Sequence, residues 1–211
     1  MTKYILLLLL ILIIGCNDKG HKSSLPFYNS PDFTPEWISP KDPAFEKIHQ
    51  IPSFSFLDQD GQIVNEKTVK GKIYVANFMF TRCASICPKM TSNLLPLQEK
   101  YKNDDQVLLL SHSVTPDMDS VSVLKKYALS HGLISNKWYI LTGKQDAIYQ
   151  LAKKEYYAGK EIGYYQKGNE FLHTENVLLI DSKSRIRGVY NGTLSIEIKR
   201  LMEDIETLKL E

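Results

Sequence analysis

The chain has 211 residues, with 26 lysines and arginines against 24 aspartates and glutamates, and its formal net charge is +2. The two signs are interspersed, so nothing in the charge pattern points to nucleic acid. Beyond the first 45 residues about 165 remain, enough for one domain with a real hydrophobic core.

The N-terminus carries targeting rather than fold. Lys3 supplies a short positive region and Tyr4 to Ile14 an apolar one. That run falls short of the roughly 20 residues a membrane-spanning helix needs. It ends in Ile13-Ile14-Gly15-Cys16. This tetrapeptide resembles the lipobox of bacterial lipoproteins, whose cysteine is acylated and becomes the new N-terminus. Ile13 stands where leucine is commoner, and the alternative is an ordinary signal peptide with a chance cysteine. The expectation is a signal peptide over 1–16, with Cys16 lipidated and the domain held at a bacterial membrane, facing the periplasm. Residues 17–45 are polar and punctuated by Pro26, Pro31, Pro35, Pro40 and Pro43, which predicts an extended tether. The domain is expected over 46–211.

Within it, Phe54 to Val64 predicts a hairpin turning at Asp60-Gly61. Ile73 to Phe80 is almost continuously apolar, as in a strand buried on both faces. Pro88 suits the first turn of a helix reaching Tyr101, with Pro96 a place where it could kink. A second buried strand follows over Val107 to His112, then a helix over Asp119 to Ser130 stopped near Gly132. Trp138 to Leu141 predicts a strand and Lys144 to Tyr157 a helix. Gly159 to Phe171 is a polar, tyrosine-rich excursion. Val177 to Ile180 and Ile186 to Tyr190 predict a hairpin, and Leu194 to Leu210 a closing amphipathic helix. This order implies an α/β fold with a central mixed sheet flanked by helices, the thioredoxin-like arrangement, with an added N-terminal β-hairpin.

Cys83-Ala-Ser-Ile-Cys87, followed by Pro88, is the chemical centre of the sequence. It lies after a buried strand and at a helix N-terminus, where unpaired N–H groups favour thiolate. An exported pair oxidises to a disulfide unless it is reduced or metallated. A purely structural disulfide around so small a loop would remove little chain entropy. His173 just precedes the strand starting at Val177, and in a thioredoxin-like fold that loop packs against the cysteine loop. Two thiolates and one imidazole form a soft ligand set that suits copper. Zinc would want a fourth ligand, for which Glu175, Asp117 and Asp119 are candidates. Met90 reads as packing rather than an axial ligand, and His21, His49, His112 and His131 are weaker candidates.

Phe80-Thr-Arg-Cys83-Ala-Ser-Ile-Cys87-Pro88-Lys-Met90 resembles the signature of the Sco/SenC family, copper-binding proteins linked to cytochrome oxidase assembly. Asp58-Gln-Asp-Gly61, Gly71-Lys72, Ser113-Val-Thr-Pro-Asp117-Met-Asp119, Leu141-Thr-Gly143 and His173-Thr fall in the family's order. Ala84 replaces the usual proline, and Thr174 the commoner serine. The resemblance implies copper held by Cys83, Cys87 and His173, for delivery to the dicopper (CuA) site of a cytochrome c oxidase subunit or to another cuproprotein. The same cysteines could instead act as a redox-active pair, reducing the oxidase's copper-ligand cysteines. In that alternative one thiolate attacks and the other resolves the mixed disulfide. A redox or copper sensor is the third reading.

Overall fold

The computed structural model describes residues 24–158 and 174–211. Phe27–Tyr28 (β1) pairs antiparallel with Pro35–Glu36 (β2), and a 3-10 turn over Pro43–Lys47 follows. A tether was expected here, and from Leu25 onward the structure differs: the segment lies against the domain. Phe27 is buried edge-on against Phe45, and Ile48 and Ile51 are buried as well. Arg187 donates through Nε to the Pro26 carbonyl (3.0 Å) and through Nη2 to the Leu25 carbonyl (2.6 Å). Glu211 accepts from the Leu25 N–H at 2.9 Å and from Arg187 Nη1 at 2.7 Å. The prolines keep the strap extended, but the apolar residues between them still gain by leaving water.

Ser55–Leu57 (β3) and Ile63–Asn65 (β4) form the expected hairpin, with Gly61 at φ +73° in its turn. A single helical turn, Glu66–Val69 (α1), leads into Ile73–Met79 (β5). Ile86–Tyr101 (α2) runs unbroken through Pro96. That proline sits on the exposed face, as does Ser92, so the carbonyl deprived of its N–H partner can turn to water. Next come Val107–Ser113 (β6) and Val121–His131 (α3). Gly132 ends α3 in the left-handed region at φ +68°, with the Leu133 N–H returning to the Ala128 carbonyl.

Trp138–Leu141 (β7) precedes Gln145–Gln150 (α4), which widens into a π-helical turn over Leu151–Glu155 instead of continuing as α-helix. The extra residue per turn brings Leu151, Ala152 and Tyr156 together onto the sheet. Asn176–Ile180 (β8), Ile186–Asn191 (β9) and Ser195–Leu208 (α5) close the chain.

The five long strands make one sheet in the order β7-β6-β5-β8-β9, with β5, β6 and β7 parallel and β8 and β9 antiparallel. Alternation along β5 sends Ile73, Val75 and Met79 towards the layer of α2, α3 and α5. Tyr74, Ala76 and Phe78 face the β3–β4 hairpin and α4. Both faces are covered, which is why the strands read as continuous apolar runs.

Candidate metal centre

The thiol loop begins where β5 leaves the sheet. The Cys83 N–H donates to the Phe80 carbonyl at 3.3 Å, closing a tight turn over Thr81 and Arg82. Ser85, at the start of α2, makes no side-chain cap, so the first N–H groups of the helix are free to face the thiol before them. The Cys87 N–H donates to Cys83 Sγ at 3.4 Å. Cys83 and Cys87 are free thiols, 7% and 3% exposed. Arg82 and Lys89 are exposed.

The two sulfurs differ chemically. Burial pushes Cys83 up, but the N–H groups of Cys87, Ser85 and Ile86 and the Cys87 thiol outweigh it, and the net shift is below the ordinary thiol value. For Cys87, burial dominates. With the neighbouring Cys83 adding to it and the Phe80 backbone only partly offsetting it, the thiol is pushed up to about 12. Cys83 is thus the more acidic sulfur and Cys87 a thiol held protonated in the core.

His173 and Cys16 lie outside the described residues. Thr174 and Glu175 are described, immediately before β8. Val177 pairs with Asn77, so β8 starts beside the end of β5 that leads to Cys83. Among the described residues no three of His, Cys, Asp and Glu are grouped to hold a metal.

The other candidates fall away on geometry. Asp119 is buried and its carboxylate is already engaged by four hydrogen bonds from hydroxyl and amide donors of the neighbouring loops. Asp117 is exposed. Met90 is buried against Gly192, where an added Cβ would stand 3.0 Å from Met90 Cε and 2.7 Å from Val177 Cγ2. His49 bonds the Glu155 carbonyl at 2.9 Å, and His131 stacks on Tyr127 at 4.0 Å. His112 is sealed among aromatic rings.

The Tyr156-Tyr157 pair is packing: Tyr156 bonds Tyr74 in the core and the Tyr157 hydroxyl donates to the Asn29 carbonyl. Tyr164 and Tyr165 lie outside the described residues. Sequence reasoning missed the hydroxyl partners of Asp119, namely Thr81, Ser113 and Thr115, and the glycine beside Met90.

Comparison with known proteins gives these residues their context. The SCO1/SenC family model matches residues 43–209. The chain belongs to this family. The SCO1 protein homolog of Bacillus subtilis (strain 168) is 31% identical over 162 residues, 75% of this chain and 82% of the relative. A "Putative copper-binding protein" of Stutzerimonas stutzeri is 25% identical over 160 residues, 74% of this chain and 76% of the relative. The structure of BsSco, described as having a disulfide switch and as a member of the Sco family of cytochrome c oxidase assembly proteins, matches with a TM-score of 0.63 at 30% identity. It covers 78% of this chain and 96% of that one. The thioredoxin-like arrangement expected from the element order is therefore the family's fold, with its mixed sheet, flanking helices and N-terminal hairpin all present.

Proposed function

We propose that the protein is a membrane-tethered copper carrier that takes up one copper ion at Cys83, Cys87 and His173. It passes the ion to the CuA site of a cytochrome c oxidase subunit during assembly. The observation that carries this reading is the buried dithiol at the start of α2, two soft ligands with which no Asp or Glu among the described residues is grouped as a third. Copper is the cargo, and partner thiolates would displace the carrier's ligands one at a time. Thr174, the residue after His173 in the sequence, comes just before β8, whose start lies beside the end of β5 that leads to the thiols, and this supports His173 as the third ligand. Acylation of Cys16 would hold the domain at the bacterial envelope.

The test is titration of the reduced protein with Cu(I) and Cu(II), followed by optical absorption. One equivalent should bind, with a thiolate-to-Cu(II) charge-transfer band that is lost in Cys83→Ser, Cys87→Ser and His173→Ala. Unaltered binding by His173→Ala would refute the ligand set. Cys16→Ser should release the protein from the membrane fraction.

The acidity difference between the two thiols favours a second reading, a thiol–disulfide reductase for the partner's copper-ligand cysteines. An acidic, attacking Cys83 and a buried, protonated Cys87 suit attack followed by resolution. Failure to retain copper, together with ready exchange on a disulfide peptide, would select this reading.

A further inference from the structure

Asp119 is wholly buried just ahead of α3, and among the described residues no lysine, arginine or histidine is paired with it. Its Oδ1 accepts from Thr81 Oγ1 at 2.5 Å. Its Oδ2 accepts from the Thr81 N–H at 3.2 Å, Ser113 Oγ at 2.6 Å and Thr115 Oγ1 at 3.0 Å. A buried carboxylate satisfied only by neutral donors is an expensive way to join two loops, because the charge is desolvated with no counter-charge. What such an arrangement supplies is geometry. An acceptor-only group with four donors converging on it admits one pose for each of them.

The donor with most at stake is Thr81. It contributes both its amide and its hydroxyl, and it lies two residues before Cys83 inside the turn closed by the Cys83 N–H on the Phe80 carbonyl. On the other side, Ser113 ends β6 and Thr115 lies in the loop that leaves it, whose Val114 N–H bonds the Met79 carbonyl at 2.9 Å. The carboxylate therefore rivets the thiol loop to its neighbour at the end of the sheet. The Tyr127 hydroxyl marks how close these groups lie. Burial raises its pKa, its bond to Thr91 partly offsets that, and the nearby acidic groups, Cys83 and Asp119 among them, raise it further.

We propose that Asp119 is the positioning residue of the dithiol, holding Thr81 and through it the placement of Cys83 against Cys87, without touching either sulfur or the metal. This deepens the functional reading above and rests on Cys83 and Cys87 being the working pair. Because the clamp is assembled around the free dithiol, releasing it moves the pair towards the disulfide.

The experiment equilibrates the protein and its Asp119→Asn, Thr81→Ala and Thr81→Ser variants in glutathione buffers. The two thiols lose two protons and two electrons to glutathione disulfide, which leaves as two molecules of glutathione. An asparagine at 119 turns one acceptor into a donor. The expected result is a shift towards disulfide of about tenfold in the equilibrium constant, about 30 mV. Thr81→Ala should shift it less in the same direction, and Thr81→Ser should return it to within about twofold of the parent. Thermal unfolding of the same samples provides the control. A lower melting temperature with an unchanged constant, or a shift towards dithiol, overturns the proposal. Should Asp119→Asn not fold, Thr81→Ala decides, and an unchanged constant there also overturns it. Copper titration in parallel keeps the two readings separable: a parent that binds no copper refutes the carrier function, while the glutathione series still decides the role of Asp119.

Discussion

Replacing His112 with leucine should stabilise this domain, and the gain should grow as the pH falls. The imidazole on β6 is fully buried, and among the described residues neither ring nitrogen has a hydrogen-bond partner. Phe54, Phe56, Phe78 and Tyr156 surround it, with ring centroids 5.3 to 6.2 Å away. The hydroxyl of Tyr156 is engaged with Tyr74. Leaving a buried polar group unsatisfied costs about 1–3 kcal/mol, while reshaping the site for leucine costs up to about 1.5 kcal/mol. At neutral pH the variant should therefore gain about 1 kcal/mol. Burial also pushes the His112 pKa down to about 3, from 6.5 in the open chain. Above pH 6.5 both states are neutral and nothing is lost. Between 6.5 and 3 the unfolded chain takes a proton that the folded one refuses, at about 1.4 kcal/mol per pH unit. At pH 4.5 the parent should have lost about 2.7 kcal/mol through this residue alone, and the leucine variant none of it. Urea unfolding of both proteins at pH 7, 5.5 and 4.5 measures the gap. A gap that stays constant with pH, or a leucine variant less stable than the parent at pH 7, would refute the reasoning and point to a partner for the ring.

Three other perturbations test the rest of the frame. Gly192→Ala should cost about 1–3 kcal/mol by overpacking, since its Cβ would meet Val177 Cγ2 at 2.7 Å beside Met90; denaturant midpoints report it. Arg187→Ala should cost about 3 kcal/mol, because it strips Glu211 and the Leu25 and Pro26 carbonyls of a buried partner and leaves Asp181 with Arg185 alone. Limited proteolysis should then cut the segment before residue 48 faster than in the parent. At pH 7.5, iodoacetamide should label Cys83 well before Cys87, by peptide mass mapping, since the net shift lowers the Cys83 pKa while burial pushes Cys87 up to about 12. Equal labelling rates would contradict the assigned difference in acidity.

The sequence made some of this legible for definite physical reasons. β5 and β6 are covered on both faces, so their composition alone identifies them. Gly132 and the Asp60-Gly61 turn mark positions where the backbone must turn, and both glycines have positive φ. The cysteine pair announces itself because a buried strand must deliver it and a helix must receive it. The strap was less readable, because five prolines dominate its pattern while its anchoring depends on Arg187 and Glu211 more than 160 residues away. The π-helical turn after α4 answers to the packing of Tyr156 and has no local signature. From sequence Asp119 reads only as a possible metal ligand. Its partner Thr81 lies 38 residues earlier, and a polar clamp between two loops has no periodicity to betray it.

The two polar networks that escaped the sequence stand at opposite ends of one sheet. Arg187 and Asp181 lie by the turn after β8, where Ile180 pairs with Tyr74 near the start of β5. The Asp119 clamp sits past the end of β5, where Met79 pairs with Ser113. Seven residues of strand separate them, about 20 Å, well beyond the range over which substitutions couple without shared partners. The strap latch and the thiol clamp thus act on different properties. Loosening the latch lowers stability and exposes the N-terminal segment, while the dithiol keeps its environment. Loosening the clamp alters the thiols while most of the core remains packed. This division fits a domain whose chain enters at one end and whose reactive sulfurs are presented at the other. A disturbance at the thiol end therefore leaves the latch unstrained.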